Sequence, residues 1–271
     1  MGNMLYRLAT FLGLISPMAY AYPAIDLSLP GDRHFHLVGS IHMGTMDMSP
    51  LPETLLARLK TADALIVEAD ISGSESPFGE PVPQPPLAER LPADQYQRFL
   101  AICDTLSANE AQLDPLPAWQ VALMLQARQA QQLGLRPEYG VDYQLIAAAH
   151  TGHKRIIELE GPQQQVELLL KLPQDGLMLL EDTLTHWHTN ARLLQTMMGW
   201  WMDNSPRALK KVLPSTFSND LYDVLMHQRN QRWQQQLAAL PAGHYVVAVG
   251  ALHLYGEGNL PALLKAGSGA A

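Results

Sequence analysis

A short phrase occurs twice in this chain, near its two ends, and it limits what the chain can fold into. Phe35-His36-Leu37-Val38 runs into Gly39-Ser40-Ile41-His42, and Tyr245-Val246-Val247-Ala248-Val249 runs into Gly250-Ala251-Leu252-His253. In each copy a β-prone apolar run reaches a Gly, which permits a sharp change of direction, and a His follows three residues later. Both copies read as strand, turn, histidine, and both meet another Gly soon after, at Gly44 and Gly256. One Gly-x-x-His arises readily by chance. Two copies at strand exits, far apart in the chain, point to a fold that brings His42 and His253 together, because ligand sites gather at strand ends in α/β sheets.

An acid fits between them. Ala64-Leu65-Ile66-Val67 is a buried-strand pattern that ends in Glu68-Ala69-Asp70. A carboxylate there is costly to bury unless it is paired or bound to a metal. The alternatives for Glu68 are a place just beyond the sheet in water or a pairing with an Arg.

Taken in order, the chain opens with Arg7, an apolar run from Leu8 to Met18, and Ala19-Tyr20-Ala21, which has the form of a signal-peptidase site. The run is too short for a stable transmembrane span. Residues 1–22 are either an export signal, which places the mature protein in the periplasm or beyond, or an N-terminal helix of a cytoplasmic protein. Ala24 to Leu29 alternates as a first strand, and Gly31-Asp32 turns it into the strand of the first phrase. Pro52 to Ala62 has helical periodicity, with Ser49 as its cap, so a β-α-β unit leads to the Glu68 strand. Ser72 to Pro86, rich in Ser, Gly and Pro, reads as a loop, either a lid over the site or an ordinary surface loop.

Helices then dominate, over Pro92–Ser107, Ala118–Leu133 and Gly140–Thr151, until Arg155 to Glu158 forms another strand followed by Leu159-Glu160. It echoes the Glu68 strand, as if the domain had two pseudo-repeated halves. Helical pattern resumes from Gln163 to Trp201, and Phe217 to Leu240 reads as one long amphipathic helix carrying Arg229-Asn230. Pro261 to Lys265 is a closing helix and 266–271 a flexible tail. The expected fold is therefore α/β, a mixed sheet flanked by helices, with residues 23–265 as a single domain.

Composition removes several functions. With 47% hydrophobic residues the chain can bury a substantial core, and a net charge of -8 argues against a nucleic-acid partner. Lys210-Lys211 reads as a solvated pair. Cys103 is the only cysteine and sits in an apolar helical stretch, so it reads as a packed thiol. There is no Gly-x-Ser-x-Gly and no phosphate loop. His186-Trp187-His188 falls in a helix, where positions two apart face different sides. His34-x-His36 shares a strand face but lies ahead of the strand's exit. Two imidazoles and a carboxylate remain, which suffice for a divalent metal with an open position for water. Such an ion favours hydrolysis of a peptide, ester or amide, with Glu68 as ligand or general base.

Gly39-Ser40-Ile41-His42, Glu68 in Ile-Val-Glu-Ala-Asp, Arg229-Asn230 and Gly250-Ala251-Leu252-His253 together resemble the TraB/GumN family, over about Ala24 to Leu264. That family is related to the Tiki metalloproteases, and erythromycin-esterase-like proteins share a similar scaffold. The resemblance implies a peptidase dependent on manganese, cobalt or zinc, acting on a peptide or protein substrate. His42, Glu68 and His253 would be the metal-site residues and Arg229 a supporting cation. Glu160 and Gln164 match the family's central acid-and-glutamine motif. The resemblance equally implies a rival, since some members are thought to bind or sequester peptides without cleaving them.

Overall fold

The computed structural model describes residues 20–73, 82–202, 217–256 and 258–268. Among these residues five strands form one sheet in the order β1-β2-β5-β3-β4, with β1 Ala24–Leu29, β2 Arg33–Ser40, β3 Ala64–Val67, β4 Arg155–Glu158 and β5 Gly243–Gly250. Strand β1 is the antiparallel edge, and every other pairing is parallel. The hairpin between β1 and β2 turns through Gly31 and Asp32, both at positive φ. The expected β-α-β unit is present with one change. The last strand, β5, inserts between β2 and β3, so the two copies of the phrase become hydrogen-bonded neighbours.

Residue alternation along the strands sends side chains to opposite faces, and helices cover both. On one face Val38, Leu65, Val67, Val246 and Ala248 pack against α1 (Glu53–Thr61), which starts at Pro52 rather than at a Ser49 cap. Further along, α2 (Ala93–Leu106) and α3 (Ala118–Gln132) build a separate helical cluster that includes Cys103, buried as the sequence suggests. Helix α4 (Val141–Thr151) returns to the first face through Val141, Leu145 and Ala149. Then come α5 (Pro162–Leu170), α6 (Leu177–Thr185) and α7 (Trp187–Met202). Trp201 on α7 is core, its indole N–H donating to the Gly39 carbonyl at 3.1 Å. Trp200 lies edge-on to Tyr255.

The long helix expected over Phe217–Leu240 is broken into a short α-turn at Asn219–Tyr222, a π-helical turn at Asp223–His227 and α8 (Gln228–Ala238). A π-turn adds a residue to the helical repeat and rotates the helix beyond it, a device common near functional sites. Trp233 and Leu237 of α8 fill the second face with Phe35, Leu37, Ile66, Val247 and Val249. Two more helices close the chain, α9 (Ala251–Tyr255) and α10 (Leu260–Ser268), so the helix runs past Lys265 into the expected tail. Among the described residues no helix is long and apolar enough to cross a membrane. The export reading falls mainly on residues 1–19, the lid reading largely on 74–81, and Lys210-Lys211 on 203–216, all outside the described residues.

Among the described residues the structure does not show the two pseudo-repeated halves expected from sequence, and the two phrases are placed differently. Gly39 lies within β2 instead of at a turn; a Cβ there would stand 3.2 Å from Ala251 Cβ and from Tyr255 Cε2, so Gly39 lets α9 lie close. Gly250, by contrast, ends β5 and leads directly into α9. In register Gly39 faces Val249 and Ser40 faces Gly250, an offset of one residue.

Candidate functional site

Strands β2, β5 and β3 end side by side, and the chain just past each carries His42, His253 and Glu68. Glu68 is almost fully buried, its side chain 8% exposed. Its Oε1 accepts the Gly250 N–H at 2.7 Å, and its Oε2 accepts Arg229 Nη2 at 2.6 Å and Gln165 Nε2 at 3.3 Å. Burial alone would raise this carboxyl, but Arg229, with help from His253 and His42, outweighs it and holds the group down at about 2. Of the alternatives open for Glu68, pairing with an Arg is the one observed.

Arg229 joins two acids. Its Nε and Nη2 form a two-pronged pair with Glu160 at 2.9 Å each, and its Nη2 also reaches Glu68. The guanidinium lies 4.6 Å over the Trp233 ring. Burial opposes its charge, yet the two carboxylates more than compensate and raise it above its ordinary value. Such bidentate geometry is the strong form of an ion pair.

His253 is 3% exposed and packs on Trp233 at a ring distance of 4.4 Å. Its Nδ1–H donates to Asn230 Oδ1 at 2.7 Å, while Asn230 Nδ2 donates to the Gly258 carbonyl. That fixes the neutral tautomer with an unprotonated Nε2, which faces Arg229 Nη1 at 3.3 Å and Glu68 Oε1 at 4.0 Å. Burial holds this imidazole down to about 3, against the pull of Glu68. His42 is the opposite case. Its side chain is 68% exposed, and its Nδ1–H donates to Asp142 Oδ2 at 2.8 Å. Asp142 raises it to about 9, an effect that solvent around the ring weakens.

The sequence-derived residues His42, Glu68, Arg229 and His253 thus form one electrostatically connected group. Three neighbours were not singled out from sequence for these contacts. Gln165, and not the exposed Gln164, reaches Glu68. Asn230 orients His253. Asp142 holds His42 from 100 residues away, where its only sequence signal was a place in the first turn of a helix. Asp70 does not join the group; it contacts His150 and Ser72. The His34-x-His36 pair lies at the other end of β2, beside a hollow of about 450 Å³. There His34 bonds Ser28 and Asp32, and His36 bonds Tyr22 and Asp26, so no nitrogen of either is free.

The fit to a divalent ion is partial. Each motif imidazole has its Nδ1–H held by a side-chain oxygen, the arrangement that prepares Nε2 as a metal donor. Glu68 does not join them as arranged, since Gly250, Arg229 and Gln165 use both its oxygens. Among the described residues no three His, Cys, Asp or Glu side chains are grouped as a metal would need.

Residues 26–268 match the model of the TraB/PrgY/gumN family. Two curated relatives, from Escherichia coli (strain K12) and Shigella flexneri, both carry the name "Uncharacterized protein YbaP". Each is 56% identical over 263 residues, covering 97% of this chain and all of the relative. No solved structure gives a significant match.

Proposed function

This chain belongs to the TraB/PrgY/gumN family, and on that premise we propose that it hydrolyses peptide bonds at the ends of β2, β5 and β3. The observation that carries the reading is the matched anchoring of two imidazoles, His42 on Asp142 and His253 on Asn230, beside a carboxylate kept ionised. His42 and His253 would hold a divalent metal of the manganese, cobalt or zinc kind through Nε2, with His42 giving up the Nε2 proton that Asp142 favours. When bound, such an ion lowers the pKa of a water molecule and polarises a carbonyl.

The chain's own residues do the rest. Glu68 fixes one edge of Arg229 beside His253, and Arg229 in turn keeps Glu68 ionised at the strand ends. Glu160 holds the other edge of the guanidinium, so the cation cannot swing away. His42, open to solvent, meets substrate first.

One observation favours a second reading, a peptide-binding protein without turnover. Arg229 Nη1 already abuts His253 Nε2, and a cation at that nitrogen would compete with it. Elemental analysis after incubation with manganese, cobalt and zinc separates the two, run with a mixed fluorogenic peptide screen on wild type, His42→Ala and His253→Ala. The hydrolase reading expects near-stoichiometric metal and cleavage in wild type and neither in the variants. Equal metal in all three, with peptide bound but uncut, would leave the binding reading.

A further inference from the structure

Resting on the hydrolase reading above, we propose that Asp142 is a positioning residue, which together with its loop fixes both the ring and the backbone of His42. A ring with 68% of its side chain in solvent has little packing to hold it. What holds it is one carboxylate, itself 8% exposed, 2.8 Å from Nδ1. Asp in the first turn of a helix ordinarily bonds a backbone N–H there or complements the helix dipole. Asp142 has His42 as its hydrogen-bond partner instead, and a carboxylate this buried needs one.

The backbone is fixed from the same side. Val141 N–H donates to the Ile41 carbonyl at 2.9 Å, and Gly44 and Arg136 exchange two backbone bonds of 3.0 and 2.7 Å. Gln144 Nε2 ties in the Met48 carbonyl at 3.2 Å. The approach is so close that a Cβ at position 140 would sit 2.2 Å from the His42 carbonyl oxygen, so only glycine permits it. The segment 136–144 therefore grips His42 at main chain and ring together. A carboxylate that orients one imidazole nitrogen and leaves the other free is how histidine donors are prepared for a metal or a substrate.

The test compares wild type with Asp142→Asn and Asp142→Ala. Nitrogen-edited NMR of the His42 ring reads its tautomer, and it runs beside kcat, KM, zinc affinity and Tm. Recorded at about pH 10, above the value to which Asp142 raises the ring, wild type should show one neutral tautomer with Nδ1 protonated. Asp142→Ala should show a mixture, with zinc affinity and kcat down roughly 10–100-fold and KM little changed; the near-isosteric Asn variant should lose less. An unchanged tautomer and kcat within about twofold in Asp142→Ala would overturn the assignment, because a merely structural Asp would move Tm and not the ring. If Asp142→Ala fails to fold, the Asn variant decides by the same ring signature. Should wild type hold no metal and cleave nothing while Asp142→Ala still releases the tautomer, Asp142 keeps its role and the hydrolase reading falls.

Discussion

The two motif histidines are similar in sequence and unlike in everything the fold gives them. His253 is buried, neutral and surrounded by Asn230, Arg229, Glu68 and Trp233. His42 is exposed and held by a loop and a single carboxylate. The cause is local. Gly250 ends β5 and starts a helix that carries His253 back under α8, whereas β2 continues through Ser40 and delivers His42 to a loop at the surface. The same words thus yield one histidine belonging to the core network and one belonging to the opening. The contrast predicts that damage to the His253 side is felt by the whole fold and damage to the His42 side chiefly by function.

The largest effect should come from Arg229→Met. It leaves Glu68 and Glu160, 8% and 3% exposed, without their shared cation. Removing one partner of a buried ion pair costs roughly 3–5 kcal/mol, and urea unfolding should show a loss in that range. A loss below about 1 kcal/mol would mean the two carboxylates find water or protons easily, and the core side of the comparison would fail.

A smaller contrast separates the histidines themselves. His253→Ala strands Asn230 and Arg229 groups in the interior, at about 1–3 kcal/mol. His42→Ala removes an exposed ring and lets water reach the Asp142 carboxylate it leaves behind, so its cost should be smaller, at about 1 kcal/mol or below, while both variants lose turnover. Equal midpoint shifts in thermal unfolding would erase the distinction.

This contrast was only half legible in the sequence. The hairpin, the strands and Cys103 in a helical core follow from alternation, turn residues and apolar spacing, which are local. That His42 and His253 should meet was implied by the repeated phrase, though not that β2 and β5 pair directly. That β5 enters between β2 and β3 was not, because strand order is set by how whole helices pack on the faces. Nor could sequence tell that Gln165 and not Gln164 reaches Glu68, where a rotation of one helical position decides. The π-turn before α8 breaks the 3.6-residue rhythm that made Phe217–Leu240 read as one helix. Asp142 was invisible for a different reason: its partner is 100 residues away, and nothing local marks it.

The finest test of the comparison is pH, because the two histidines tilt stability in opposite directions. His253 is held down to about 3, so below its unfolded value of about 6.5 the unfolded chain binds a proton that the native state refuses. Its contribution is complete above that value and is lost as pH falls toward about 3. Glu68, held at about 2, adds a loss of the same sign below the ordinary carboxylate range. His42 is raised, so its contribution is complete below about 6.5 and is lost as pH rises through about 9. One proton of difference is worth about 1.4 kcal/mol per pH unit. The buried imidazole should approach that slope between about pH 6.5 and 4.5. For His42 the solvent around its ring screens the pair, and we expect under roughly 0.5 kcal/mol across its whole window, less again in about 0.5 M salt. Urea midpoints across pH for wild type, His253→Gln and His42→Gln read both limbs. The acid limb should flatten in His253→Gln and stay parallel to wild type in His42→Gln. A wild-type acid slope in His253→Gln would mean that the buried ring is not the group refusing the proton, and a steep, salt-resistant alkaline limb would mean that the His42–Asp142 pair is shielded as well as its partner across the sheet.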